Sequence, residues 1–225
     1  MKIKTIVLTF IFCLHLSAAS NAYETILNDE NIKNGNNYGY AVCVSEDYVI
    51  VGAPYDDTGE DNSGAAYIYH REGTNWVKQQ TIKASTFVQY EQFGWPVDID
   101  GNTAIIGTNQ GKGAAYIFEK ASDGWEQKLK LQPDTLDSNA RFRHSVSISG
   151  NTVVIGAPYN HNYEYGSVYV FVKENNGWVE QKKLDQDAYQ GQRFGHSVSI
   201  DGDYIAVGKP FAFHLLLVKS WANTP

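Results

Sequence analysis

The pattern of hydrophobic and polar positions predicts four short strands in succession between Phe142 and Leu184. Residues 144–149 alternate between apolar and polar side chains, as expected of a strand with one buried face. A tight Gly-Asn turn leads into Thr152–Ile155, a β-branched run that suits a strand covered on both faces. Ser167–Val172 forms a third strand, and the mostly polar Trp178–Leu184 forms a fourth. We therefore predict a small antiparallel meander that is dry at its inner strands and wet at its outer strand.

Approximate copies of this unit recur at a nearly constant spacing along the chain. A glycine ends the second strand of each copy, and these glycines are separated by 55, 49 and 52 residues. The tryptophans that open the fourth strands are separated by 49 and 53 residues. A fixed internal period of this kind indicates a repeat architecture. The landmarks are Gly52, Gly107, Gly156 and Gly208, then Trp76, Trp125 and Trp178, and the opening aromatics Tyr38, Phe93, Phe142 and Phe194.

The four repeats span about residues 38–82, 93–131, 142–184 and 194–218. A propeller blade is packed on both faces by its neighbours, so its inner strands are apolar on both sides and only its outermost strand is solvated. An immunoglobulin-type sandwich would show a wet face on most of its strands instead. The sequence therefore predicts an all-β fold, a β-propeller of four-stranded antiparallel blades with about four blades present.

The completeness of the ring is a separate question. Residues 23–225 accommodate four blades at the observed spacing, and the repeat pattern fails after Gly208. Residues 23–27 resemble an isolated outer strand, which in a circular repeat would complete the last sheet. Three states follow: part of a longer ring, a small ring closed by the N-terminal strand, or an assembly of several chains. We favour a truncated or frameshifted reading frame as the reason for the lost pattern.

The N-terminal residues have the layout of a secretory signal peptide. Lys2 and Lys4 precede an apolar run, and small residues end the segment at Ala22. We predict cleavage after Ala22, a soluble mature chain without a membrane span, and a secreted, cell-surface or, in a Gram-negative host, periplasmic location. Loss of the two lysines takes the formal charge from −7 to −9, which argues against nucleic acid or an anionic membrane as a partner. Cys43 is then the only cysteine, and we interpret it as a small buried filler.

Paired motifs in the repeats resemble the FG-GAP repeat of integrin alpha-chain propellers and their bacterial relatives. Phe-Gly stands near the start of a repeat, and Gly-Ala-Pro ends its second strand. The matching residues are Tyr38-Gly39 with Gly52-Ala53-Pro54, Phe93-Gly94 with Gly107-Thr108, Phe142-Arg143 with Gly156-Ala157-Pro158, and Phe194-Gly195 with Gly208-Lys209-Pro210. The resemblance implies a seven-bladed ring that serves extracellular binding or adhesion, usually within a larger protein.

One acidic loop is the best metal candidate. The resemblance suggests calcium loops between the first and second strands, but those turns are too short here to supply six to eight oxygen ligands. The loop after the first Gly-Ala-Pro holds four carboxylates within six residues, which could collect a hard cation such as calcium. The alternative is an ordinary solvated loop. The candidate ligands are Asp56, Asp57, Glu60 and Asp61.

No catalytic constellation is visible, so we predict no enzyme activity and no bound cofactor other than this calcium. His144 and His196 hold one repeat position that is otherwise occupied by Tyr40 and Trp95, so packing explains them better than metal ligation. Loop tyrosines are common binding residues, and the two that we expect to contact a ligand are Tyr163 and Tyr165.

The sequence favours a secreted or cell-surface propeller that functions by binding a protein or glycan ligand, without catalysis. Two alternatives stay open. The chain is the propeller portion of a larger extracellular hydrolase, or it is a truncated fragment without an independent function.

Overall fold

The computed structural model describes most of the chain beyond the N-terminal segment. The described residues are 25–27, 32–57, 61–86, 89–109, 112–133, 136, 140–142, 144–160, 165–185, 191–210 and 216–219. They contain strands and no helix, and accordingly no helix in this part of the chain is long and apolar enough to cross a membrane. The predicted signal peptide, residues 1–22, lies outside the described residues.

In the described part of the chain, fifteen strands form four antiparallel sheets, which we call blades 1 to 4. Blade 1 contains β1 (Val42–Ser45), β2 (Tyr48–Ala53), β3 (Ala65–Glu72) and β4 (Asn75–Ile82). Blade 2 contains β5 (Val97–Asp100), β6 (Thr103–Gly107), β7 (Ala115–Ala121) and β8 (Gly124–Leu131). Blade 3 contains β9 (Ser145–Ser149), β10 (Thr152–Ala157), β11 (Ser167–Glu174) and β12 (Gly177–Asp185). Blade 4 contains β13 (Ser197–Asp201), β14 (Tyr204–Gly208) and β15 (Leu216–Lys219).

The blades share one internal geometry. Each four-stranded blade is a meander in sequence order, and its third and fourth strands are interrupted by an irregularity at the same place, after Ile68, Ile117 or Val170. Each opening tryptophan of the fourth strand pairs with the equivalent residue of the third strand: Trp76 with Arg71, Trp125 with Lys120 and Trp178 with Lys173. The first three predicted repeats therefore share one strand order and one register.

Burial is greatest on the second and third strands and falls towards the outer strand as predicted. The innermost strands β1 and β13 are more exposed than predicted, because among the described residues they lack buried neighbours on one side. All six residues of β10 are buried, as are five of the six in β2. By contrast, β4 and β12 are largely exposed, because their polar side chains lie at the rim. The predicted fold class is confirmed: the protein is all-β, and its four antiparallel sheets are arranged as a four-blade β-propeller.

Hydrophobic packing between blades holds the sheets side by side. One buried cluster joins blades 1 and 2, a second joins blades 2 and 3, and a third joins blades 3 and 4. The opening aromatics Phe93, Phe142 and Phe194 are fully buried, one in each junction. Each of them also donates its backbone N–H to a carbonyl of the preceding blade, at 2.9 Å. Those carbonyls belong to Ser63, Lys112 and Tyr165.

Side chains on the inner strands add a second connection between consecutive blades. The Asp98 carboxylate of β5 accepts a hydrogen bond from the Ile148 backbone N–H of β9, at 2.9 Å. One blade further on, the Ser147 hydroxyl accepts from the Ile200 N–H of β13, at 3.2 Å. A parallel row links Ser45, Asp100 and Ser149 to the backbone N–H groups of Gly101, Gly150 and Gly202. Similar repeat positions therefore make the same bond at successive junctions.

Two ends of the blade stack stay apart. The inner strands β1, β5, β9 and β13 contact one another in that order, and β1 makes no comparable contact with β13. Thr25–Leu27 is the described part of the predicted ring-closing strand, and no strand is assigned to it. Leu27 nevertheless packs against the face of blade 1 that is turned away from blade 2. Closure of the ring by residues 23–27 stays a prediction.

Candidate functional site

The loops that carry the Gly-Ala-Pro motifs lie at one end of the molecule, which we call the GAP end. There the second strand of a blade ends beside the start of its first strand. The backbone N–H of Gly39 donates to the carbonyl of Gly52, at 3.1 Å, and Gly94 and Gly195 make the same bond to Gly107 and Gly208. The residues before each first strand and the loops after each second strand therefore share one surface.

Two pairs of planar rings pack near the inner strands at the GAP end. Tyr40 of blade 1 packs against Trp95 of blade 2 at an interplanar angle of 44°, and His144 of blade 3 packs against His196 of blade 4 at 50°. Both pairs have ring centroids 4.4 Å apart. His144 Nδ1 lies 2.9 Å from the His196 carbonyl oxygen. The predicted packing of both rings is confirmed, and the predicted hydrogen bond of a ring nitrogen is confirmed for His144.

A basic and aromatic cluster borders the histidine pair. The guanidinium groups of Arg141 and Arg193 lie 4.3 Å and 4.8 Å from the centre of the Tyr159 ring. Both distances are typical of cation–π contacts. Arg141 is exposed, and among the described residues no carboxylate pairs with it. We call Arg141, Tyr159 and Arg193 the Arg–Tyr–Arg cluster.

Sequence reasoning missed this cluster, although a signal was present. The same Arg-Phe dipeptide precedes blades 3 and 4, at Arg141-Phe142 and Arg193-Phe194. Both arginines have a positive φ, 48° and 53°, as do Asn37 and Gln92 at the same repeat position. This backbone conformation places the arginine side chains on equivalent sites of adjacent blades. Tyr159, which follows a Gly-Ala-Pro motif, lies between them.

Asp56, the first of the predicted metal ligands, is fully buried inside blade 1. Its carboxylate accepts hydrogen bonds from the Tyr67 hydroxyl at 2.6 Å and from the Asn36 amide at 2.9 Å. The Lys83 ammonium lies 3.8 Å from the other carboxylate oxygen. This carboxylate is therefore directed into the blade and engaged there.

A buried polar side chain also partners the equivalent tyrosine hydroxyl in each of the next two blades. In blade 2, the Tyr116 hydroxyl donates to the buried Glu91 carboxylate at 2.6 Å, and burial followed by this bond raises the pKa of Tyr116. In blade 3 the direction is reversed, because the buried Asn160 amide N–H donates to the Tyr169 hydroxyl oxygen at 3.1 Å. A lysine ammonium lies over each of the three tyrosine rings. The recurrence gives Asp56 a structural role: it satisfies a buried tyrosine.

The remaining predicted ligands are not gathered around one point in the described part of the chain. Asp57 accepts a hydrogen bond from the Asn62 backbone N–H at 2.7 Å, and Asp61 accepts one from the Gln89 amide at 3.3 Å. Glu60 lies outside the described residues. No group of three metal-ligating side chains occurs among those that the structure describes. A calcium site on this loop stays a prediction.

Of the two predicted ligand-binding tyrosines, one can be located. Tyr165 is half-buried at the junction of blades 3 and 4, where its carbonyl oxygen accepts the Phe194 N–H. Tyr163 lies outside the described residues. Both stay predictions as binding residues.

Cys43 has a polar partner that its sequence did not reveal. Its thiol lies 2.8 Å from the Asp98 carboxylate of blade 2 and is half-buried. Burial, followed by the hydrogen bond to Asp98, raises the pKa of the Cys43 thiol to about 11. The residue is thus held as a neutral thiol between two blades.

These features define a β-propeller module with a chemically mixed surface at its GAP end. The family model of the FG-GAP repeat matches four segments, residues 24–69, 76–118, 125–171 and 178–214. The chain belongs to this family. FG-GAP repeats are typical of extracellular or cell-surface proteins. A search of curated proteins found no significant match to the sequence.

Proposed function

We propose that this chain is a secreted or cell-surface FG-GAP module that binds a protein or glycan ligand without catalysis, and that the Arg–Tyr–Arg cluster receives an acidic group of that ligand. The observation that carries the proposal is the position of two guanidinium groups on one tyrosine ring. Secretion is supported by the signal-peptide pattern of residues 1–22.

The chemistry of the cluster favours an anionic group. Arginine presents a planar fork of donors that matches carboxylate, sulfate and phosphate oxygens in pairs. Two such side chains concentrate positive charge at one site of a chain whose formal net charge is −7. Tyr159 adds a flat ring of the kind that is common in binding surfaces. Loops on a rigid β scaffold are also a frequent place for binding residues.

Binding to acidic probes tests the proposal. The full chain, purified after export by the host, is applied to an array of sulfated, uronate-containing and sialylated glycans with neutral counterparts, and to a poly-glutamate peptide. We expect binding to acidic probes that weakens as salt rises. The double substitution Arg141→Gln and Arg193→Gln should weaken it about tenfold or more, because two charge-assisted contacts are lost.

Arg71→Gln is the matched control. Arg71 is an exposed arginine at the opposite end of blade 1, where it pairs with Asp47 at 2.5 Å. The control should bind as the unsubstituted chain does, and thermal melts should show that every variant folds. Equal binding by the double variant and the unsubstituted chain, or an equal loss in the Arg71 variant, would contradict the proposal.

A further inference from the structure

The two ends of the blade stack expose apolar residues whose counterparts are buried in every interior blade. We call the side of blade 1 turned away from blade 2 the blade 1 end face. Its inner-strand residue Val44 is 64% exposed. Ile99, Ile148 and Ile200 hold the same repeat position on blades 2, 3 and 4 and are 2%, 5% and 7% exposed. The difference shows that blade 1 has the surface of a packed blade without the blade that packs on it.

Blade 4 presents the complementary case. We call its side turned away from blade 3 the blade 4 end face, and Leu217 of β15 lies on it, 67% exposed. Leu217 pairs with Ala206, as Val170 pairs with Val154 in blade 3. The counterparts Ile68, Ile117 and Val170 are at most 1% exposed. A repeat-to-repeat junction buries these side chains wherever a further blade follows.

The N-terminal segment already holds a place in the missing junction. Leu27 packs beside Tyr67 on the blade 1 end face. Ile82, Leu131 and Leu184, at the ends of the outer strands, pack in the same way on the blade that follows each of them. Leu27 precedes its opening aromatic Tyr38 by eleven residues, and Ile82 and Leu131 precede theirs by the same number. The segment therefore stands where the outer strand of a preceding blade would end.

Among the described residues, blade 4 has no strand equivalent to this segment. Its described sheet is β13-β14-β15, whereas the other three blades have a fourth, outer strand. The three described strands of blade 4 and one strand formed by an N-terminal segment would together make one complete blade. Joining them would bring the two end faces together and cover the open edge of β15, which otherwise exposes unpaired backbone groups.

Hydrogen-bonding positions on the inner strands also match across the two end faces. At interior junctions, the side chains at the repeat positions of Ser199 and Asp201 accept hydrogen bonds from two backbone N–H groups of the next blade. Those two N–H groups stand at the repeat positions of Val44 and Glu46. Glu46 has a φ of 51°, almost the same as the 51°, 54° and 52° of Gly101, Gly150 and Gly202. The backbone of blade 1 therefore already has the conformation of a hydrogen-bond donor at this position, and blade 4 carries the acceptor side chains Ser199 and Asp201.

Within one chain these complementary faces do not meet, because β1 and β13 make no comparable contact. We propose that two copies of the chain close head to tail into one ring, in which the blade 4 end face of each copy packs on the blade 1 end face of the other. The N-terminal segment of each copy completes blade 4 of its partner. The ring has eight blades, which is within the range of known propellers. Because the contact is heterologous, closure after two copies is what prevents open filaments.

The first measurement is the mass of the full chain in solution, purified after export by the host. Sedimentation velocity and light scattering from about 0.1 to about 100 µM should give twice the mass of one chain, with dissociation on dilution. Val44→Asp and Leu217→Asp should each abolish the dimer, because each places a charge in both junctions. Val77→Asp is the matched control: Val77 is 40% exposed on the outer strand β4, and its substitution should leave the dimer intact.

Mixing the two variants separates the head-to-tail arrangement from other dimers. In a mixed pair, one junction joins two substituted faces and the other joins two unsubstituted faces. A mixture of Val44→Asp and Leu217→Asp should therefore associate at concentrations at which neither does alone. Leu217→Thr, a milder change, replaces Leu217→Asp if melts show that the aspartate variant fails to fold.

Five results would overturn the proposal. A monomer at every concentration, with end-face substitutions that lower its melting temperature, would mean that the ring closes within one chain. A monomer that is indifferent to these substitutions would mean that the ends stay open. Oligomers that grow beyond two copies would mean open head-to-tail association. A dimer that only one of the two aspartate variants abolishes would mean a symmetric contact through one face. A mixture that fails to associate, when each variant alone is monomeric, would mean that the two end faces do not pack on each other.

Discussion

Cys43 and Asp98 show what single residues contribute to this propeller. They occupy equivalent positions on the inner strands of blades 1 and 2, where the next two blades carry Ser147 and Ser199. Asp98 accepts from the Cys43 thiol with one carboxylate oxygen and from the Ile148 N–H with the other. One side chain thereby connects three blades. Its charge also favours the neutral form of the thiol.

We expect Cys43 to react slowly with thiol reagents while the protein is folded. A rise in its pKa from 9.0 to about 11 lowers the thiolate fraction about a hundredfold at pH 8. The neutral thiol contributes to stability below about pH 9, and this contribution is lost as the pH rises through about 11. Maleimide labelling of a Cys13→Ser chain, followed by mass spectrometry from pH 7 upwards, measures this.

Asp98→Ser provides the comparison for that experiment. It removes the carboxylate charge but keeps a hydroxyl acceptor, as Ser147 has at the next junction. Labelling of Cys43 should become faster in this variant. Labelling of the folded, unsubstituted protein at the rate of a free cysteine would contradict the assignment.

At the scale of the structural element, the two glycines of the FG-GAP motif meet across each junction where both are present. A Cβ on Gly52 of blade 1 would overlap the carbonyl oxygen of Gly94 of blade 2, and Gly156 has the same relation to Gly195. The end of the second strand thus approaches the start of the next blade backbone to backbone. The motif is a packing requirement between consecutive blades.

Gly52→Ala and Gly156→Ala should therefore destabilise the fold. The added methyl group must separate two blades, at a cost of about 2 kcal/mol for overpacking. In a domain of this size the melting temperature should fall by about 5 °C, which calorimetry or circular dichroism can measure.

Gly150→Asn is the control for the glycine substitutions. No atom lies within 4 Å of a Cβ at Gly150, and asparagine tolerates its φ of +54°. Its melting temperature should stay close to that of the unsubstituted protein. A neutral result for both alanine variants would show that the junction yields more easily than its geometry implies.

At the scale of the whole molecule, stability is distributed along a row of blades. Each blade touches only its neighbours, so blades 2 and 3 have two junctions each, and within one chain blades 1 and 4 have one. Local opening should therefore begin at the two ends.

Hydrogen exchange in the Leu217→Asp variant, which we expect to be monomeric, tests this order. Backbone amides of β5 and β9 should exchange about tenfold or more slowly than those of β1 and β13, because opening an interior blade breaks two junctions. Mass spectrometry of peptic peptides resolves the four strands. Equal protection in all four would show that the blades open as a single cooperative unit.

The period, the strands and the blade class were predictable from the sequence because they depend on local alternation and on recurring glycines. Thr152–Ile155 could be interpreted as a covered strand from its own residues, and the Gly-Ala-Pro landmarks located the ends of the second strands. The same local logic identified His144 and His196 as packed rings. These properties are repeated in each unit, so that the copies support one another.

The tertiary structure alone decided which residues from different blades come together. Asp56 belongs to an acidic loop in the sequence, but the fold directs it at Tyr67 inside the blade. Tyr159 meets Arg141 and Arg193 only because blades 3 and 4 lie side by side. Contacts over such separations depend on how blades are stacked, which no local pattern encodes. The exposure of Val44 and Leu217 has the same origin, since among the described residues no blade packs on the faces that carry them.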